Sequence, residues 1–141
     1  MPKCIDTSLW IPYLLPEPLQ PQARALITPW LAAGESLVAP AFAWAEVGSV
    51  LRKKVRLGLI TTSQATGFYN DFCQMPIQYL DNNSVRARTW EIAEKFVLAT
   101  LYDAAFLAVA ELGSAEFWTA DQSLLNTLNP CPAYVHSLSM P

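Results

Sequence analysis

The amino-acid sequence predicts an α/β fold in which a parallel sheet is covered by helices on both faces. Short apolar runs at 3–6, 37–40, 76–80, 116–120 and 133–138 alternate with longer segments whose apolar residues recur at helical spacing. Glycines at 58 and 113 close two of those longer segments. Strands that alternate with helices are joined by right-handed crossovers into a parallel sheet. All strands then end on one side, so the residues that follow them meet at one rim.

Taken in order, the first run ends in Asp6, and Thr7 and Ser8 are placed to cap the segment that follows. Five prolines between positions 12 and 29 predict short helices and turns, ending at Gly34. After the second run a helix over 42–57 stops at Gly58, and within it Glu46 shares a face with Phe42, Ala43, Ser49 and Val50. Thr61 and Gln64 form a capping box that opens a helix through Phe68, Tyr69 and Phe72. The third run leads to the turn Asp81-Asn82-Asn83, and Ser84 caps a helix marked by Val85, Ile92, Ala93 and Phe96. In the next, Ala-rich helix, Asp103 lies on the face of Phe106, Leu107 and Ala110. The fourth run delivers Asp121 to the head of a short helix ending near Asn129-Pro130, and the last run is an edge strand.

The 141 residues form a single domain, 1–141, long enough to bury a core without disulfides or a structural metal. Cys4, Cys73 and Cys131 are odd in number and far apart, which suggests neither a disulfide framework nor a zinc cluster. With no leader segment before the first strand and no membrane span, the expected place is a reducing cytoplasm. The net charge is −3, yet Arg52, Lys53, Lys54 and Arg56 hold four of the nine cations. They are candidate contacts for a nucleic-acid backbone, or ordinary solvated charges at a helix C-terminus. An apolar fraction of 52%, a mean hydropathy of +0.22 and five tryptophans exceed what a self-sufficient domain requires. The surplus points to a partner surface, expected at Trp10, Tyr13, Leu14, Leu15, Trp30 and Leu31 in the proline-punctuated region.

Four acids are thus expected on the rim: Asp6, Glu46, Asp103 and Asp121. Asp103 and Asp121 stand at helix entrances, where aspartate is also a favoured N-cap, although the apolar face around Asp103 argues against that role there. Carboxylates about 5 Å apart repel by roughly 3 kcal/mol per pair at an effective dielectric of 20, so four need a compensating cation. Oxygen ligands without histidine or thiolate select a hard metal, Mg²⁺ or Mn²⁺. Such an ion polarises a phosphoryl oxygen and lowers the pKa of a bound water, which hydrolysis of a phosphodiester requires. The single histidine, His136, excludes ribonuclease chemistry that uses two, and no phosphate-binding P-loop is present.

The ordered set Asp6-Thr7-Ser8, Ala45-Glu46-Val47, Tyr102-Asp103-Ala104-Ala105 and Thr119-Ala120-Asp121 resembles the PIN-domain nucleases, and at this size the VapC-type toxins of prokaryotic toxin–antitoxin pairs. The resemblance spans essentially the whole chain. It implies a three-layer α/β/α sandwich with a central, mainly parallel sheet. It also implies a Mg²⁺- or Mn²⁺-dependent endoribonuclease with Asp6, Glu46, Asp103 and Asp121 as the acidic set, supported by Ser8 and Thr119. The partners it implies are an RNA substrate and a small antitoxin protein, and the apolar surplus adds a second copy of the chain. Some members carry a further acid three residues after the last aspartate; here that residue is Leu124. The alternatives are a PIN-like domain that binds or processes RNA without a toxin role, a catalytically silent binding module, or a phosphatase of another fold. The haloacid dehalogenase type would want an aspartate at position 8, which is serine.

Overall fold

The computed structural model describes residues 1–138, and five parallel strands run through its centre in the order β3-β2-β1-β4-β5. They are β1 (Lys3–Ile5), β2 (Leu37–Pro40), β3 (Ile77–Leu80), β4 (Glu116–Thr119) and β5 (Val135–Ser137). The helices between them are α1 (Thr7–Leu14), α2 (Gln20–Ala32), α3 (Ala43–Arg56), α4 (Thr62–Cys73), α5 (Asn83–Phe96), α6 (Leu101–Leu112) and α7 (Gln122–Thr127). β1 sits in the middle, with Lys3 opposite Leu37 on one side and Glu116 on the other.

Pleating sorts the core into two layers, because successive side chains in a strand face opposite ways. Cys4, Val38 and Phe117 pack with Ile92, Phe106 and Leu107 from α5 and α6. Their strand neighbours Ile5 and Leu37 pack with Leu9, Ile27, Val47 and Phe72 from α1 to α4. The outcome is a three-layer α/β/α sandwich. α6 is set deepest: residues 104–110 are all buried, and four of those seven are alanine, whose small side chain lets the helix lie close to its neighbours.

Three local expectations change. The segment from 12 to 29 breaks only once, over 15–19, since α1 continues through Pro12 and α2 through Pro29. A proline inside a helix costs about 3 kcal/mol, but α1 buries Leu9, Trp10, Ile11 and Leu14, each contributing about 1.5–3 kcal/mol. The same burial removes the expected partner surface: Trp10, Leu14 and Leu15 are in the core, and Tyr13, Trp30 and Leu31 are half-buried against it. Exposed apolar side chains stand elsewhere, among them Trp44, Trp90, Leu101 and Tyr102. Finally, Asn82 rather than Ser84 caps α5, accepting from Val85 N at 2.8 Å, because the turn itself supplies the cap.

The capping box of Thr61 and Gln64 is present, with bonds of 2.9 and 3.1 Å. Gly58, at φ +74°, makes the left-handed turn that follows α3. Among the described residues no helix is long and apolar enough to cross a membrane.

Phe117 is wholly buried on β4, its ring 6.3 Å from that of Phe106. Phe117→Ala is expected to lower the unfolding free energy by about 3–5 kcal/mol in chemical denaturation. A loss below 1 kcal/mol would mean that the sheet and α6 are held by other contacts.

Candidate active site

β1 and β4 are in register with Ile5 opposite Trp118. One further bond, from Asp6 N to the Trp118 carbonyl at 2.9 Å, ties the residue after β1 to that strand. Asp6 is thereby buried beside the end of β4, at the head of α1. Its Oδ2 accepts the hydroxyls of Ser8 and Thr119, each at 2.8 Å. Both hydroxyls are fixed in turn by backbone amides: Ala120 N donates to Ser8 Oγ at 2.9 Å and Asp121 N to Thr119 Oγ1 at 3.0 Å. A hydroxyl carries one proton. With both protons directed at Asp6, the 3.2 Å approach of Ser8 Oγ to Thr119 Oγ1 is a contact without a hydrogen bond.

Asp6 makes no side-chain cap bond, and the hydroxyls of Thr7 and Ser8 turn to acids instead of helix amides. Thr7 Oγ1 donates to Glu46 Oε1, in the first turn of α3. Thr7 is the functional contact that sequence reasoning passed over, although its place between Asp6 and Ser8 was the available signal. Asp103 lies in the first turn of α6, whose N-cap position is held by Thr100, so capping does not explain it. Asp121 does cap its helix, Oδ1 accepting from Leu124 N at 3.1 Å. Leu124, in the place of a further acid, is buried.

The four acids face one another electrostatically. Burial pushes the Asp6 carboxyl up to about 6 against the pull of the Thr119 and Ser8 hydroxyls, and Asp103 and Glu46 add to the rise. Burial also raises Glu46, which the Thr7 hydroxyl lowers and Asp103 raises further. Asp103 is raised by burial and then by Asp121. None of the four takes part in an ion pair among the described residues. Among those residues, too, no group of three or more His, Cys, Asp or Glu is arranged to hold a metal ion. The carboxylates form a cluster of like charge that no cation of the described residues offsets. By donor chemistry the set fits a hard divalent cation. The adjacent Cys4 does not join it: burial holds its thiol far above the ordinary range, and its Sγ donates to the Phe106 carbonyl.

Of the basic cluster, Arg52, Lys53 and Arg56 are exposed and take no ion pair among the described residues. Lys54 is bound to Glu17 of the α1–α2 connection at 2.9 Å. The cluster begins six residues beyond Glu46 on α3, about 9 Å along the axis.

Both the sequence and the α/β/α sandwich have known relatives. The chain belongs to the PIN domain family, a family of nucleases, whose model matches residues 3–127. No curated protein matches the chain. Among solved structures it is similar to PAE2754 from Pyrobaculum aerophilum, with 20% identity and a TM-score of 0.70 over 97% of this chain and 88% of that one. It is also similar to a toxin–antitoxin complex from Klebsiella pneumoniae, with 17% identity and a TM-score of 0.71 over 100% of both chains. A third likeness is to VapBC2 from Rickettsia felis bound to a DNA fragment from their promoter, with 10% identity and a TM-score of 0.70 over 99% of this chain and 100% of that one. At these identities the likeness is one of fold.

The raised Asp6 fixes a pH dependence. Because its folded pKa of about 6 lies above the ordinary 3.8, the native state binds the proton first. Its stability relative to the unfolded chain then rises as pH falls from about 7 towards 4. Two units correspond to about 3 kcal/mol of penalty at neutral pH. Glu116, held low by Lys3, and Asp81, held low by Arg86, oppose this trend only as pH drops through the ordinary carboxylate range. Asp6→Asn keeps an acceptor for Ser8 and Thr119, so in chelator the variant is expected to unfold at higher temperature than the parent at pH 8, by a margin that shrinks to about half at pH 5. A variant less stable at both pH values would make Asp6 a structural carboxylate.

Proposed function

We propose that the chain is a metal-dependent endoribonuclease that cuts RNA in the cytoplasm and serves as the toxin of a toxin–antitoxin pair. The observation that carries the catalytic part is the cluster of Asp6, Glu46, Asp103 and Asp121 without a cationic partner among the described residues, in a chain of a nuclease family. Asp6, Glu46, Asp103 and Asp121 would hold Mg²⁺ or Mn²⁺, which when bound polarises the scissile phosphate and lowers the pKa of a water. The chain's own work is positioning. Ser8 and Thr119 aim the Asp6 carboxylate, Thr7 aims that of Glu46, and neither Asp6 Oδ1 nor Asp103 accepts a side-chain hydrogen bond among the described residues. Arg52, Lys53 and Arg56 supply exposed positive charge for the backbone of the incoming strand.

The toxin part is supported by two matching folds that come from toxin–antitoxin complexes and cover this chain almost end to end. A partner needs a surface. Trp44, Leu101 and Tyr102 are 47, 46 and 58% exposed, and they border a cavity of about 690 Å³ between α3, α5 and α6. Exposed aromatic side chains around a hollow are typical anchors. This face, in place of the proline-punctuated region, is where a second copy or an antitoxin segment would bury apolar area.

The catalytic reading is tested on single-stranded RNA with the purified chain in Mg²⁺ or Mn²⁺ and in EDTA. Cleavage is expected only with metal, to vanish in Asp6→Asn, and to fall roughly 10- to 100-fold in Thr7→Val, which frees the Glu46 carboxylate. Metal-independent cleavage, or full activity in Asp6→Asn, would overturn it. For the partner reading, light scattering on the isolated chain is expected to give a dimer, and Tyr102→Glu a monomer. Expression alone is expected to arrest the host, and co-expression with a neighbouring small gene to relieve the arrest. A harmless monomer would refute the toxin and dimer proposals together.

A further inference from the structure

We infer that the groove between α1 and α3 is a nucleotide subsite, which seats the base beside the cleaved phosphate and delivers the strand's next phosphate to Lys54. The inference rests on the nuclease reading and adds to it a stretch of strand that the enzyme grips.

The groove has a volume of about 540 Å³, within the range of small-ligand sites. Two helical stripes build its walls, each beginning at the acids. On α3, Glu46, Val50 and Lys54 follow one another at four-residue spacing and so share a face. On α1, Thr7 and Ile11 form one such pair and Ser8 and Pro12 another. At the inner end, Thr7 and Ser8 line the groove and donate to Glu46 and Asp6, so the groove opens directly at the acid cluster. Its middle is apolar, with Ile11, Pro12 and Val50 offering a dry surface to the face of a base.

The outer end carries the charge. Lys54 stands eight residues beyond Glu46, about 12 Å along the helix, and its Nζ contacts Glu17 at 2.9 Å with both side chains partly exposed. A partly exposed ion pair of this kind contributes little, so its lysine can be exchanged to another anion. A strand leaving the acids along this groove meets a polar end, an apolar middle and a cation, which is the sequence phosphate, base, phosphate. Glu17 is then a competitor for Lys54 that the incoming phosphate displaces.

Both Lys54→Gln and Glu17→Gln break the same ion pair. If the pair were structural, the two variants would change activity in the same direction. Each is assayed with metal against a single-stranded RNA oligonucleotide and against bis(p-nitrophenyl) phosphate, a diester too small to span the groove. Lys54→Gln is expected to lower kcat/KM on RNA about fivefold and to flatten its log–log salt dependence by about 0.7. Glu17→Gln is expected to raise kcat/KM on RNA about twofold, and neither variant to alter hydrolysis of the small diester. Val50→Phe, which fills the middle of the groove, is expected to raise KM on RNA with the small diester again unaffected. Changes in the same direction, no change, or equal losses on both substrates would overturn the subsite. So would variants that keep RNA cleavage but no longer bind a co-expressed small protein, since the groove would then belong to a protein partner. A parent that hydrolyses neither substrate would instead overturn the nuclease reading, and the subsite with it.

Discussion

The parallel pairing of β1 with β4 is the constraint on which the rest depends. These strands are separated by more than 100 residues of sequence, yet their register brings Asp6 next to Thr119 and allows Asp6 N to bond the Trp118 carbonyl. From that contact the hydrogen bonds run in one direction: backbone amides of Ala120 and Asp121 to the hydroxyls of Ser8 and Thr119, and those hydroxyls to Asp6 Oδ2. The amides occupy lone pairs on the hydroxyl oxygens, so the protons are left to point at the carboxylate. A slip of one residue would exchange the faces of Cys4 and Ile5 and disconnect the network.

The cluster shows how far the fold supports an unfavourable charge distribution. Asp6 is buried with two other acids raising its pKa, and only the hydroxyls of Thr119 and Ser8 work in its favour. The neighbouring elements could have placed a lysine or arginine there, since the chain pairs cations with acids elsewhere. Arg88 meets Glu91 and Glu111, and Lys3 meets Glu116. The cost is held at the rim, where Asp6 is buried but Glu46, Asp103 and Asp121 are half-buried, while the centre of the sheet is apolar.

Much of this was legible in the sequence, because period and termini are written locally. The strands, the capping box at Thr61, the stop at Gly58 and the placement of acids after strands follow from short-range pattern. What was not legible depends on contacts far along the chain. Pro12 and Pro29 read as breakers, yet the helices persist, because burial against α3, α4 and the sheet exceeds the local cost. Trp10, Leu14 and Leu15 read as surplus for the same reason: their partners, Leu51 and Phe72 among them, are supplied by helices tens of residues away. Thr7 read as a cap because its actual partner, Glu46, lies 39 positions on. The Lys54 and Glu17 pair could not be inferred from a charge run at all, since a run shows density and not partners.

The order in which the sheet is assembled has a consequence for the chain as it leaves the ribosome. β1 precedes β4 by more than 100 residues, yet it lies between β2 and β4. Until residue 121 has emerged, Asp6 has no Thr119 beside it, Asp121 is missing, and the inner edge of β1 is open. Whatever chemistry the four acids support therefore waits on β4, however early the strands before it have formed. A chain cut before β4 would carry Asp6, Glu46 and Asp103 but neither Thr119 nor Asp121, so the four acids come together only when the whole sheet is built.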